Sequence, residues 1–410
     1  KILIFMQDIS RAAAAINILD DYLKGYPLEK VLKQWFKKNR FAGSNDRRNI
    51  RDLVFDILRK RLILYYPFQI NEYYETGRVL VLSYLFLYKK GSFSLEDIKG
   101  NKYLSPSINN DELIILNNIN RLVKKAPKNI SLNFPEFLEE KLSQSLGNNF
   151  NVIMELFLKR APVYLRINQN KINIKEAKIK LENQGILSEI CPSSKYALKV
   201  ISGEKFIKNS SPYQLGEVEL QDLSSQLTTE LVQISSGKKI LDFCAGSGGK
   251  ALAIASRLRN KADIFAYDLN DLKYKNLNYR ANKAGANITI LDSKHLIKYK
   301  NFFDIVFVDA PCSGTGTWRR DPKIKWELND QKLSVLTKNQ YSIVKQACSY
   351  LKNGGFLIYV VCSLLEDEGD LIIRKYMLHH KNYSKVKSGI FHPINASDGF
   401  YFSVLKLLNN

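Results

Sequence analysis

Apolar residues recur at helical spacing through the first third of the chain. Ser10 reads as an N-cap ahead of Arg11-Ala12-Ala13-Ala14-Ala15, with Ile16, Leu19 and Leu23 on one stripe and Gly25 as the stop. Pro27 then opens a second helix carrying Leu28, Val31, Leu32 and Trp35. From Asp46 to Arg59, the residues Ile50, Leu53, Val54 and Leu58 share one stripe, flanked by Arg47, Arg48, Arg51 and Arg59. Further helices continue, so residues 1–145 are expected to form an all-α domain.

Near Pro162 the period changes. Val163–Gln169 alternates as a strand, Lys175–Gln184 reads as a helix, and short strands follow to about residue 208. With a helix over Gln221–Ser235, residues 146–235 read as a small α+β module and its linking helix. Residues 236–410 then alternate strand and helix. Lys239–Cys244, Asp263–Asp268, Ile288–Asp292, Phe303–Asp309 and Phe356–Cys362 are the expected strands. Helices are expected at Lys250–Arg259, Leu272–Ala284 and Leu333–Leu351, the last stopped by Asn353-Gly354-Gly355. Such alternation predicts a doubly wound parallel sheet, whose ligands bind beyond the carboxyl ends of the strands.

Composition narrows the class. The chain has 410 residues, 45% apolar and 25% charged, which suits two or three globular domains and excludes wholesale disorder. Its longest apolar runs, such as Val79–Tyr88, are about half the ~20 residues a membrane helix needs. No signal peptide is read in Lys1–Met6 ahead of Asp8, and a chain beginning at Lys leaves the natural start open. Five widely spaced cysteines without a Cys-x-x-Cys pair argue against a disulfide framework or zinc site and for a reduced cytosolic setting. The four histidines show no ligand spacing, so no metal is expected. Lys+Arg 62 against Asp+Glu 40 leaves a net charge of +22, spread over both halves and nearly absent from residues 201–250. That balance suits a polyanion held along several surfaces, although Lys-rich coding bias supplies the same excess. The arginines of 47–59 read equally as a solvated helix face or an RNA-facing one.

The candidate chemistry lies at the strand ends. After the first strand, Cys244-Ala245-Gly246-Ser247-Gly248-Gly249-Lys250 is a glycine turn through which backbone can approach a ligand. Asp268, about 20 residues on, could accept from two ribose hydroxyls, as in sites for NAD or S-adenosylmethionine. The Gly-x-Gly-x-x-Gly spacing is absent, which favours the sulfonium cofactor. Asp292 closes the third strand and could accept from an adenine amino group. The fourth strand runs into Asp309-Ala310-Pro311-Cys312-Ser313-Gly314, and the fifth into Val361-Cys362-Ser363. Two thiols at one sheet edge suit chemistry at a pyrimidine C5. A thiolate adding at C6 makes C5 nucleophilic, and the proton at C5 must then leave before the thiol is expelled. Either cysteine could attack on this reasoning, and Asp309 is placed to stabilise the adduct near N3. Cys191 and Cys348 read as small buried hydrophobes.

On these motifs the chain resembles the RsmB/Nop–Sun family of RNA cytosine-C5 methyltransferases. Asp309–Gly316 matches that family in full, and Cys244–Lys250 is similar to its cofactor loop, departing at Gly246 and Ser247. Val361-Cys362-Ser363 stands for its Thr-Cys-Ser, with Glu368-Gly369 in place of Glu-Asn. Arg166-Ile167-Asn168 and Gln221–Gln226 are similar to signatures of the module before the catalytic domain, and Asp398-Gly399-Phe400 to the closing strand. The resemblance implies a NusB-like RNA-binding domain at 1–145, a small RRM-like module, and a Rossmann-like class I methyltransferase domain at 236–410. It implies Cys362 as nucleophile, Cys312 in product release and Asp309 in contact with the base. S-adenosylmethionine would be bound by Cys244–Lys250, Asp268, Asp292 and Asp309. The implied partner is RNA, 16S ribosomal RNA or a small-subunit assembly intermediate, met by a cytoplasmic monomer without a membrane. Arg166 and the basic–aromatic run Trp318-Arg319-Arg320, with Lys323–Trp326, are expected to grip that RNA. The competing readings are a non-catalytic RNA-binding assembly factor with the same fold and a nicotinamide-dependent oxidoreductase; the latter leaves both cysteine motifs without a role.

Overall fold

The computed structural model describes residues 8–89, 107–395 and 397–409. The opening Lys1–Met6 and part of the expected helical region, 90–106, lie outside them. The chain divides into two compact units. The first comprises Lys1–Glu140, Asn148–Arg160 and Trp318–Glu327, and the second comprises Lys141–Gly147, Ala161–Thr317 and Leu328–Asn410.

The described part of the first unit is helical. It begins with α1 (Asp8–Leu23), α2 (Leu28–Lys38), α3 (Ser44–Arg59), α4 (Arg61–Gln69) and α5 (Gly77–Tyr88). Ile18, Leu19, Ile50, Val54 and Leu80 are fully buried between them, so the apolar stripes face one core. Helix α1 already runs at Asp8, which places Ser10 inside it rather than at its cap.

Among its described residues the second unit holds two sheets. β1 (Val163–Ile167), β2 (Leu187–Ile190), β3 (Ala197–Ser202) and β4 (Val218–Leu220) form an antiparallel sheet in the order β2-β3-β1-β4. The larger sheet contains β5 (Lys239–Asp242), β6 (Asp263–Ala266), β7 (Ile288–Ile290), β8 (Phe303–Asp309), β9 (Leu351–Val361), β10 (Tyr383–Phe391) and β11 (Phe400–Leu407). Its order is β10-β11-β9-β8-β5-β6-β7. β5 to β9 are mutually parallel where they pair, whereas β11 runs antiparallel to β9 and β10 to β11. The sheet is therefore mixed rather than wholly parallel, because the last two strands close as a hairpin on its edge. From β5 the strands proceed outward through β6 and β7, and the chain then returns to lay β8 on the other side of β5. In open sheets of this kind such a reversal is where a ligand crevice forms, here beyond the carboxyl ends of β5 and β8.

Three expected elements differ. The helix expected over 221–235 is only Leu223–Thr228, capped by Asp222, whose side chain accepts from Ser224 N. The third strand ends at Ile290, and Asp292 instead caps the following turn of helix. The long helix Asp330–Cys348 ends before Asn353-Gly354-Gly355, which belongs to the start of β9, where the register against β8 shifts.

Candidate active site

The glycine turn leaves β5 at Asp242 and re-enters order in the helix Gly249–Arg257. Its N-cap, Gly248, has φ +84, and a Cβ there would sit 2.9 Å from Leu277 Cγ, so both conformation and space require glycine. The turn is braced on its far side. Asp268 Oδ2 accepts from Gly246 N at 2.8 Å, and Lys273 Nζ reaches the same carboxylate at 3.1 Å. The departing residue Ser247 gains a partner in Arg280, which donates to its hydroxyl at 2.7 Å and also holds Glu219. Asp242 is buried, and burial raises its carboxyl pKa to about 7 against the opposing effect of Lys250. Its Oδ2 accepts from Ala251 N at 3.0 Å, while Oδ1 has no hydrogen-bond partner among the described residues. Burial also pushes the Cys244 thiol well up, with Asp242 adding to the effect.

Lys250 is buried and its ammonium is ion-paired with Asp309 at the end of β8; the Asp309 side chain keeps 37% of its surface exposed. Asp292 stands differently. Its carboxylate is 52% exposed and accepts from His295 N and contacts His295 Nδ1, both at 2.8 Å, contacts that hold its pKa down.

Beyond β8 and β9 the two cysteines meet. Cys312 Sγ and Cys362 Sγ lie 3.2 Å apart, too far for a disulfide bond and within reach for proton exchange. The adjacent Cys362 sulfur, then burial and the charge of Glu368, hold the Cys312 thiol well above its ordinary pKa. Cys362 follows a strand fixed on both sides, since Val361 pairs with Tyr401 and Val360 O accepts from Ala310 N. Gly316 donates to Cys362 O at 3.1 Å and accepts from Gly399 N; a Cβ on Gly316 would collide with the Gly399 carbonyl. The Asp398-Gly399-Phe400 motif thus backs the Pro-Cys loop.

Under that loop lies a residue that sequence reasoning noted only by position. Glu368 is fully buried. Its carboxylate accepts from Ser313 N at 2.7 Å, from the Ser313 hydroxyl, from Ser363 Oγ at 2.5 Å and from Gln340 Nε2 at 3.0 Å. Arg280 and Gln340 were likewise missed, because each sits in a helix far along the chain with no local motif to mark it.

The expected RNA-gripping residues divide sharply. Arg166 is buried and donates to Gly249 O at 2.8 Å, to Gln221 and to Glu219, so it supports the glycine turn from beneath and does not face RNA. Trp318 is fully buried within the helical unit, its ring edge-on to Phe157 at 5.5 Å. Arg319 is also buried there, its carbonyl accepting from Arg59 Nε at 2.9 Å. Lys325 is fully buried, donating to Asn133 O at 2.6 Å, and Trp326 Nε1 donates to Leu58 O at 2.8 Å. The run is a packing segment, since indole and guanidinium groups bury well once their N–H groups find carbonyls. Within it, Arg320 stays exposed. An exposed basic–aromatic surface occurs instead on α2, α3 and the turn between them. Lys33, Lys37, Arg40 and Arg51 are exposed, without ion-pair partners among the described residues, and line a groove with Glu29 and Phe36. Arg47 lies 5.7 Å over the Phe36 ring, and Phe41 is 68% exposed beside them.

No cluster suited to a metal ion occurs among the described residues, nor does a helix long and apolar enough to cross a membrane. The parallel sheet with a glycine turn after its first strand, an aspartate after its second and an antiparallel edge hairpin is the Rossmann-like architecture of methyltransferases. The crystal structure of PH0851 has the same fold over nearly the whole chain, with TM-score 0.77 at 20% identity, covering 98% of this chain and 99% of that one. NSun6 from Pyrococcus horikoshii with SFG matches with TM-score 0.59 at 18% identity, over 68% of this chain and 99% of that one.

Residues 229–406 match the family described as 16S rRNA methyltransferase RsmB/F, and residues 134–205 match its ferredoxin-like domain. Those two parts of the chain belong to the RsmB/F family. Ribosomal RNA small subunit methyltransferase B of Photorhabdus laumondii is 29% identical over 283 residues, 66% of this chain and 66% of that protein. The chain thus spans about two thirds of that relative's length.

Proposed function

We propose that the chain is an S-adenosylmethionine-dependent RNA methyltransferase that modifies cytosine C5, in 16S ribosomal RNA or a small-subunit assembly intermediate. The observation that carries this reading is the 3.2 Å approach of Cys312 and Cys362 at the ligand-binding edge of β8 and β9. The relative from Photorhabdus is named for small-subunit ribosomal RNA, which supports the substrate class.

The residues at the crevice fit the cofactor. Asp268 stands two residues past β6, its carboxylate held by Gly246 N and Asn270 N where it would meet ribose hydroxyls, Asp292 is an exposed acceptor after β7, and Cys244–Lys250 is a turn whose glycines admit close backbone approach. Asp242 adds a buried, unpaired acceptor under the turn. A fold neighbour solved with SFG, an analogue of S-adenosylmethionine, is consistent with that assignment. S-adenosylmethionine, when bound, supplies a methyl group electrophilic enough for a carbon nucleophile.

In the mechanism, Cys362 is the nucleophile. Its thiolate forms a C–S bond to cytosine C6, and the displaced π electrons pass to N3, which takes a proton relayed through Asp309 from the Lys250 ammonium hydrogen-bonded to it and returns it when the sulfur leaves. C5 is then nucleophilic and takes the methyl group. A base removes the proton from C5, the electron pair restores the C5–C6 double bond, and the Cys362 sulfur leaves. Cys312, held as a thiol by its surroundings, is the group that serves this departure. Asp309 is ion-paired to Lys250, so its carboxylate is oriented before the base arrives.

The helical unit is read as the NusB-like RNA-binding domain, with the exposed cations and aromatics of α2, α3 and the turn between them as its phosphate and base contacts. A cytoplasmic monomer suits this role. The test is a covalent trap. A Cys312→Ala variant given cytosine-bearing RNA and S-adenosylmethionine is expected to accumulate a protein–RNA adduct resistant to denaturant. An adduct that persists when Cys362 is also removed would overturn the assignment. Folded protein that binds RNA without ever methylating it would favour the assembly-factor reading.

A further inference from the structure

Glu368 is a buried carboxylate with no cationic partner among the described residues, and burying such a group costs several kcal/mol unless its lone pairs are filled. Here neutral donors fill them, and those donors are not arbitrary. Ser313 is the residue after Cys312, and Ser363 is the residue after Cys362. Gln340, the fourth donor, also donates to Pro311 O at 2.9 Å, the residue before Cys312. One carboxylate therefore ties both flanks of one cysteine and the following residue of the other.

The two cysteines depend on it unequally. Cys362 is already located by the strand β9, which is hydrogen-bonded to β11 and β8. Cys312 lies in a loop, and Ser313 gives Glu368 both its N–H and its hydroxyl. Thr315 adds a brace between the loop and the turn, through Ser363 Oγ at 3.0 Å and Leu364 N at 2.9 Å. Glutamine at 368 has the same shape but only one acceptor oxygen; its amide would point N–H groups at N–H and O–H donors.

We propose that Glu368 is a positioning residue that holds the Cys312 loop against the Cys362 turn, setting the distance between the two sulfurs. The proposal rests on the two-cysteine reading for its catalytic meaning, while its geometry can be tested without catalysis. A shift of about 1 Å is enough to cost on the order of 100-fold in a reaction between placed groups. Loss of the clamp should therefore impair what Cys312 does more than what Cys362 does.

The experiment uses the full chain with diamide as oxidant. The two thiols give up two protons and two electrons to diamide, which is reduced to the hydrazine, and a Cys312–Cys362 disulfide is read by mass spectrometry of the digest. Glu368→Gln is expected to slow formation of that disulfide at least tenfold, and Ser313→Ala about threefold. A rate within twofold of the parent in Glu368→Gln overturns the proposal. If Glu368→Gln does not fold, as judged by circular dichroism, Ser313→Ala and Gln340→Ala decide in the same way. In a parallel assay Glu368→Gln should accumulate the RNA adduct as Cys312→Ala does, whereas a merely structural loss would lower adduct formation too. Failure of Cys312→Ala itself to trap RNA would count against the two-cysteine reading, with the disulfide rates still deciding the role of Glu368.

Discussion

The strand end at Cys312, which meets Cys362, lies only a few residues before the segment Trp318–Glu327, and both places are crowded with groups suited to RNA chemistry. They come to opposite ends. The first gathers Asp268, Asp309 and two thiols at one sheet edge, with Asp309 still part-exposed. The second buries Trp318 and Lys325 completely in the helical unit. The difference lies in what each pattern specifies. A residue at the carboxyl end of a parallel strand is located by the strand, so its place at the ligand edge follows from local sequence. A basic–aromatic run has no such anchor. Arginine, lysine and tryptophan carry long apolar bodies, and they pack inside wherever carbonyls await their N–H groups.

Substitutions can break this contrast. The largest effect is expected at the strand ends. Cys362→Ala should abolish methylation, a loss on the order of 10⁴-fold or more, without changing the melting temperature appreciably. Trp318→Ala should do the reverse. Deleting a fully buried indole is expected to cost about 3–5 kcal/mol of stability, read by denaturant unfolding, while RNA affinity per folded molecule stays the same. A drop in affinity without loss of stability would restore Trp318 to the RNA surface.

The exposed face of α2, α3 and the turn between them offers a third, smaller effect. Phe41→Ala should weaken single-stranded RNA binding by about 1–3 kcal/mol if a base stacks there. Lys37→Glu and Arg40→Glu should each lower the slope of log K against log salt by about 0.7 if they meet a phosphate. A separate test is a pH dependence at Lys325. Burial, then Arg59 and Lys60, lowers its ammonium pKa to about 7 from 10.5. Between those values the unfolded chain binds a proton that the folded one does not, so stability should rise as pH goes from 7 towards 10 and be flat with respect to this group below 7. Lys325→Met should remove that slope from the melting temperatures.

Much of the fold is legible in the sequence. The stripes of α1 to α3 do bury Leu19, Ile50 and Val54, and β5, β6 and β8 lie where alternation of strand and helix put them. The site was legible wherever a residue ended a strand. Arg166 was misjudged because its three partners, Gln221, Glu219 and Gly249, come from distant segments. Asn353-Gly354-Gly355 was misread as a helix stop because a glycine pair also marks an irregular strand start.

What the sequence determined alone is therefore most of the elements and the groups near their ends: the glycine turn, Asp268, Asp309, Cys312 and Cys362. These depend on periodicity and on turn chemistry, which act over a few residues. Only the tertiary structure decided that β10 and β11 close the sheet as an antiparallel edge, that Trp318 and Lys325 are buried, and that four donors converge on Glu368. Each of these depends on which distant surface supplies the partner, and burial of a polar group is settled by that partner rather than by the group itself.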